Sequence, residues 1–314
     1  MLDTISADVR NTLASFSEDD AIIFNNKLYR LDRERYEAIP LADARKEAPR
    51  IAFIDGGQAE ILSAGNLSVS FIRVAAAVFK RGIKLENLQE EFYLFTKAVW
   101  HGDDLYYHST IYGSALIQKE DLYISSNDAS IKIGSERAPI SKVANMARRF
   151  AELALAAKVD ADHVVLDGTL EKTFRNEEKY LEKLSSTISA VAKSSSLFTT
   201  SGNSPVVLLN KIGPEGCWRY SLDEAAHFVK LHPASRHVFR FEGDTTVLSS
   251  LLSLCSDALF LGYPYGLLMA DQLARVSNAE KKSLRLRLLL NKDNSEIVNY
   301  LQTMNAHDIL DTLG

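Results

Sequence analysis

A chain of 314 residues, 46% of them apolar, can bury a sizeable core and has room for one large domain or two ordinary ones. Its net charge of −5 argues against a surface given over wholly to nucleic acid and leaves room for local basic patches. No apolar run approaches the roughly 18 residues a membrane span needs, and Met1-Leu-Asp-Thr-Ile has no basic flank before an apolar core, so a cytoplasmic globular protein is expected.

In chain order, Leu2, Ile5, Val9 and Leu13 have helical spacing and lead to an acidic stop at Glu18-Asp19-Asp20, which predicts a packing or partner helix over residues 1–20. Residues 51–55 read as a first strand and Ser68 to Ala75 as a second, joined by a hairpin through the Gly-containing stretch 56–66. Leu105 to Ile117 adds one or two strands, and a loop follows from Ser125 to Ser135. Pro139 then opens a helix marked by Ile140, Val143, Met146, Phe150 and Leu153. After it, His163 to Asp167 is a strand, and Tyr180, Leu181, Leu184 and Ile188 predict a helix over 177–193. Strands are expected at 205–210 and 236–241, and helices at 245–255, 266–277 and from 279 to about 312.

The dipeptide Asp-Gly closes two of the apolar runs, at Ile51-Ala-Phe-Ile-Asp55-Gly56-Gly57 and at His163-Val-Val-Leu-Asp167-Gly168. Asp-Gly after a strand is an ordinary turn signal. Its recurrence has a second reading: if the two strands are parallel neighbours, their ends lie about 4.8 Å apart and both carboxylates can reach a shared pair of divalent ions. Oxygen ligands of this kind suit magnesium or manganese. Other chemistries have no motif: there is no Gly-x4-Gly-Lys-Ser/Thr, no Gly-x-Gly-x-x-Gly and no His-Glu-x-x-His. Cys217 and Cys255 have no Cys or His at metal-ligand spacing and are expected to be reduced.

Without a Pro/Gly/Ser-rich linker or an internal repeat, the chain reads as one α/β domain over 1–314, with a core of about 50–277 and helical terminal segments. An antiparallel start, a helix, and a strand whose carboxylate meets the first is the order of a ribonuclease H-like core, with a mixed sheet and flanking helices.

Asp55-Gly-Gly, Leu166-Asp167-Gly-Thr-Leu170, Ala190-Val-Ala-Lys193, Phe239-Arg240-Phe241-Glu242 and especially Gly262-Tyr263-Pro264-Tyr265-Gly-Leu-Leu-Met-Ala-Asp271 together resemble the NurA nuclease family. The resemblance spans about residues 50–277 and implies a manganese- or magnesium-dependent DNA nuclease. It further implies two bound ions, 5′ to 3′ exonuclease and single-strand endonuclease action, a homodimer, and docking on the hexameric HerA translocase in DNA end resection. By position it makes Asp55 and Asp167 metal carboxylates, with Glu152 as a third ligand. Asp271 would be a fourth ligand or orient the water, Lys193 would neutralise the scissile phosphate, and Tyr265 would contact a phosphate or position a ligand. For each the residues also allow a structural role: Glu152 as a solvated acid beside Arg148 and Arg149, Lys193 as a helix-end cation, Asp271 as a helix-surface acid, Tyr265 as core. Gly266 stands where many members have Pro, which would leave the backbone freer. Arg148, Arg149, Lys172, Arg175 and Lys211 are candidate contacts to a nucleic acid strand. The leucine stripe after Ala279 suits either a partner groove or the protein's own core. The alternative function is a non-catalytic DNA-clamping adaptor that regulates a translocating ATPase.

Overall fold

The computed structural model describes residues 1–14, 20–43, 45, 47–258, 260–290, 294 and 296–297. Helix α1 (Leu2–Ala14) precedes a small hairpin, β1 (Ala21–Phe24) with β2 (Lys27–Arg30), which turns through Asn25 and Asn26 at positive φ. A short strand, β3 (Tyr36–Ala38), is followed by the long antiparallel strands β4 (Arg50–Ala64), β5 (Leu67–Lys80) and β6 (Ile83–His101), then by β7 (Asp104–Tyr112) and β8 (Ile124–Ser125). Helix α2 (Lys142–Ala156) leads to β9 (His163–Asp167), which pairs parallel to β4, and α3 (Glu178–Leu181) leads to β10 (Ile188–Ala192), parallel to β9. After α4 (Pro205–Ile212), strands β11 (Trp218–Ser221), β12 (Ala226–Lys230) and β13 (Phe239–Gly243) continue the sheet antiparallel. Helices α5 (Leu248–Leu251), α6 (Tyr265–Ala274) and α7 (Asn278–Leu289) complete the described elements.

Among the described residues, eleven strands form one mixed sheet in the order β3-β11-β12-β13-β10-β9-β4-β5-β6-β7-β8. Its middle, β6-β5-β4-β9-β10, is an antiparallel triple joined to two parallel strands, the expected ribonuclease H-like core. Strand alternation divides the interior into two layers. Ala52, Ile54, Val74 and Ala76 pack under Val143, Met146, Ala147 and Phe150 of α2. On the other face Phe53, Ala77, Phe79, Val165 and Val191 meet Leu267 and Ala270 of α6. Fully burying the Val, Ile, Leu, Met and Phe side chains among these stabilises by roughly 1.5–3 kcal/mol each, so the sheet is clamped between α2 and α6.

Several expectations are corrected. Strand β4 does not end at Asp55; it runs to Ala64, and the hairpin turns at Gly65-Asn66. Gly56 and Gly57 lie inside the strand, and their small size serves close approach: a Cβ on Gly56 would collide with Glu152 and Arg148 of α2, and one on Gly57 with the Ala274 carbonyl at the end of α6. Strand β6 was not expected: its first half, Ile83 to Glu91, is exposed on both faces, and only from Phe92 to Thr96 do alternate residues turn inward. The helix expected over 177–193 is only α3, and 188–192 is β10, held between β9 and β13. Residues 205–210 are helical rather than extended, with Ser204 and Pro205 at the start of α4 where Pro favours a helix. Strands β11 and β12 were also unforeseen, and the strand expected at 236–241 is shifted to β13.

At the termini, Leu2, Ile5 and Val9 of α1 are exposed rather than packed inward, and Glu18 and Asp19 lie outside the described residues. Helix α7 has no buried residue and is held instead by Arg73 of β5, which donates to Glu280 and to the Arg275 carbonyl. The expected helix beyond 290 falls almost wholly outside the described residues. Among the described residues no helix is long and apolar enough to cross a membrane. Cys217 and Cys255 are both free, the second buried.

Candidate active site

The pairing of Ile54 with Leu166 sets Asp55 and Asp167 one residue further along two adjacent parallel strands. Alternation then turns both toward the face shared with Phe53 and Val165. Asp55 is 8% exposed, and its Oδ1 accepts from the Gly56 N–H at 2.7 Å. Asp167, the last residue of β9, is followed by Gly168 at φ +108°, which turns the chain away from the sheet. Its Oδ2 accepts from Lys193 Nζ at 2.6 Å, and its Oδ1 from the Tyr263 hydroxyl at 3.2 Å.

Lys193 directly follows β10, whose Val191 pairs with Asp167, so a strand end rather than a helix end delivers the ammonium. The helix-dipole reading of this lysine is therefore excluded. Its Nζ lies 5.5 Å from the centre of the Tyr263 ring.

Glu152 comes from α2, on the opposite face of the sheet, and occupies the space that Gly56 leaves by lacking a side chain. It is 4% exposed, so it is not a solvated acid. Arg148 donates to its Oε1 and to the Gly56 carbonyl, while Arg149 Nη1 lies 3.9 Å from its Oε2.

Burial pushes the Asp55 carboxyl up to about 7, reinforced by the charges of Asp167 and Glu152 and only partly offset by the Gly56 N–H and Lys193. Burial likewise raises Glu152 against the pull of Arg148 and Arg149. Lys193 would be lowered by burial, but the hydrogen bond and charge of Asp167, with Asp55 and Asp271, raise it. Tyr263 is raised by burial and then by Asp167, so it stays a proton donor. Among the described residues Asp55 has no basic side chain bonded to it, unlike Asp167 and Glu152, which pair with Lys193 and Arg148.

Two expected residues are placed differently. Tyr265 sits in the first turn of α6 with its ring edge-on to Phe79 at 6.2 Å; the tyrosine that reaches a carboxylate is Tyr263, just ahead of the helix. The Tyr-Pro-Tyr segment contains both, and only the placement of Pro264 at the helix start decides between them. Asp271 lies on α6 paired to Arg275 one turn on, while its charge is felt by Lys193 and Tyr263. Gly266 is helical and packs directly against the Phe53 ring, which leaves no room for a Cβ, so it is a contact residue rather than a flexible one. Of the basic residues considered for a nucleic acid strand, Arg149 pairs with Glu177, Lys172 with Glu178 and Arg175 with Asp128.

As the side chains stand, no three His, Cys, Asp or Glu groups among the described residues are gathered closely enough to hold an ion. Lys193 and Arg148 are the counter-charges to Asp167 and Glu152. The donor chemistry nonetheless fits a hard divalent cation: the groups are all carboxylates, and Asp55, raised first by burial, also feels the charges of Asp167 and Glu152, which such an ion would neutralise.

No protein-family model and no curated protein matches the chain. Among solved structures it is similar to the NurA nuclease from Sulfolobus solfataricus, at 12% identity over 92% of this chain and 93% of that one, with a TM-score of 0.52. Another NurA crystal structure aligns at 9% identity over 84% and 92% with a TM-score of 0.47, and a DNA complex of Ciona intestinalis Endonuclease V at 15% over 76% and 87% with 0.37. The architecture is of the ribonuclease H-like class. More particularly, the chain shares the fold of the NurA nuclease along nearly its full described length.

Proposed function

We propose that this protein is a divalent-metal-dependent deoxyribonuclease that hydrolyses phosphodiester bonds at Asp55, Asp167 and Glu152. The observation that carries the reading is the side-by-side placement of Asp55 and Asp167, with Lys193 and Tyr263 both bonded to Asp167, on a fold shared with a NurA nuclease. Asp55, Asp167 and Glu152 would hold manganese or magnesium, in a pair of ions, with Asp271 as an outer ligand once released from Arg275. When bound, the ions supply an acidified water and neutralise the charge of the phosphate and the leaving oxygen. Tyr263 fixes the orientation of Asp167 through its hydroxyl. Lys193, released from Asp167, meets the negative charge that develops on the phosphate. The same reading includes a homodimer, a hexameric HerA-type translocase, end resection in the cytoplasm, and both exonuclease and single-strand endonuclease action; it is supported by the sequence resemblance together with the shared fold.

The deciding experiment follows manganese-dependent degradation of end-labelled DNA by the wild type and by Asp55→Ala, each with and without a HerA-type translocase. Cleavage by the wild type alone is the expected result. Binding of DNA with cleavage by neither protein under any condition would replace this reading with the adaptor one.

Tyr263→Phe tests the assignment of the tyrosine. It removes the donor to Asp167 but keeps the ring against Phe239 and Phe260, so manganese affinity measured by calorimetry is expected to fall about tenfold. Tyr265→Phe should leave that affinity at the wild-type value, and the reverse ranking would return the role to Tyr265.

A further inference from the structure

The loop that follows Asp167, residues 168–177, is fastened from within the protein. Glu177 is completely buried, and its carboxylate accepts from the Thr173 and Phe174 N–H groups at 2.7 and 2.8 Å and from Arg149 Nε at 2.8 Å. Arg149 also donates through Nη2 to the Thr169 carbonyl at 2.7 Å, while its Nη1 lies 3.9 Å from Glu152 Oε2. One guanidinium therefore hydrogen-bonds to both ends of the loop and stands within ion-pair distance of the carboxylate on α2. The first half of the loop has its own anchor, since Glu242 accepts from the Leu170 N–H at 2.7 Å and Arg240 pairs with Glu171.

The two neighbouring arginines of α2 differ in kind. The Arg148 side chain is a third exposed and touches only Glu152 and the Gly56 carbonyl in the hydrogen bonds described above. Arg149 is held in three directions and is 9% exposed, so it cannot reach a nucleic acid strand. A buried charge persists only where its partners are fixed, and the planar fork of a guanidinium can satisfy several acceptors at once where an ammonium on a flexible stem cannot.

We propose that Arg149 is a positioning residue that locks Glu152 to the loop after Asp167, with Glu177 as its anchor, so that carboxylates from α2 and β9 are held as one unit. This rests on the reading of Glu152 and Asp167 as metal carboxylates. Outer partners of this type commonly set metal affinity by ten- to a hundredfold, because they fix where the ligand oxygens point.

The test uses the full chain and two readouts. In the first, manganese affinity is measured by calorimetry for Glu177→Gln, Arg149→Lys and the control Asp121→Asn, which weakens the bonds from Lys179 and Tyr180 without touching Arg149. A loss of about tenfold or more is expected for the first two, with the control at the wild-type value even where it unfolds more easily. In the second, Glu152→Gln and Glu177→Gln are combined in a urea-unfolding double-mutant cycle without metal, run also in the Arg149→Lys background; because the two carboxylates repel directly, coupling through Arg149 predicts non-additivity that changes in that background. Wild-type affinity in Arg149→Lys, additivity in the cycle, or non-additivity that the Arg149→Lys background leaves unchanged overturns the proposal; if Glu177→Gln does not fold, Arg149→Lys and a cycle of Glu152→Gln with Arg149→Lys decide it. A wild type that binds no manganese would instead overturn the metal-nuclease reading, and the metal-free cycle would then decide the Arg149 proposal by itself.

Discussion

Asp55→Asn is expected to give a protein that resists unfolding better than the wild type and no longer cleaves DNA. Both effects come from one charge. The carboxyl is held at about 7 against an ordinary value of 3.8 because it is buried beside Asp167 and Glu152. An acid raised in this way contributes its full stability below its unfolded value, where it is protonated in both states, and loses it as pH climbs through about 7. At pH 8 without metal the ionised group therefore costs the native state on the order of 4 kcal/mol, which an uncharged amide of the same shape avoids. Chemical denaturation should show the variant more stable at pH 8, with the gain fading by about pH 4. Cleavage should fall by more than about a thousandfold, beyond the ten- to hundredfold expected for an outer partner, since the amide cannot supply a charged ligand oxygen. A variant that is less stable at pH 8 would show that Asp55 is held by favourable contacts instead, and a variant that still cleaves would remove it from the chemistry.

Gly266→Ala is expected to be among the most damaging small substitutions in the chain. The new methyl would meet the ring of Phe53, which is fully buried and wedged edge-on against Phe79 at 5.7 Å. The ring has no free space to enter, so α6 must lift from β4 and β5. Overpacking of this kind costs about 3 kcal/mol or somewhat more. Because Tyr263 and Asp271 travel with α6, metal affinity should fall together with stability. Trimming the partner in the double variant Gly266→Ala with Phe53→Leu should recover part of the loss, a non-additive outcome that identifies the clash as the cause. Unfolding of Gly266→Ala at the wild-type urea midpoint would refute the argument.

The parts of this protein legible in its sequence are those where local pattern and tertiary environment agree. Strand β9 and helix α2 were readable because an apolar run and a helical stripe each match what they bury, and Asp167 and Glu152 came with them. Asp55 is legible from the apolar run before it, but the end of its strand is not; Asp-Gly-Gly looks like a stop, and the packing of Glu152 and Ala274 against those glycines explains why the strand continues. Strand β10 was hidden because Tyr180, Leu181, Leu184 and Ile188 repeat at helical intervals, while the partners that make 188–192 extended lie on β9 and β13, remote in sequence. The first half of strand β6 is hidden for the opposite reason: Lys84, Glu86, Glu90 and Glu91 stand on a stretch exposed on both faces, where no inward pattern is required, which leaves only the short alternation from Phe92 to Thr96 as a signal. The choice of Tyr263 over Tyr265 depends on where α6 begins, which composition does not encode.

Asp55, Glu152 and Asp167 come from a strand, a helix on the far face of the sheet and a second strand, with Asp55 far from the other two along the chain. Every local fragment of the polypeptide contains at most part of the set, and Glu152 reaches the others only after α2 has settled over Gly56. The carboxylate grouping is therefore a property of the assembled tertiary structure rather than of any one segment. A chain in which β4 is unpaired from β9, or one in which α2 is lifted from Gly56, has the same three carboxylates in its sequence but not beside one another.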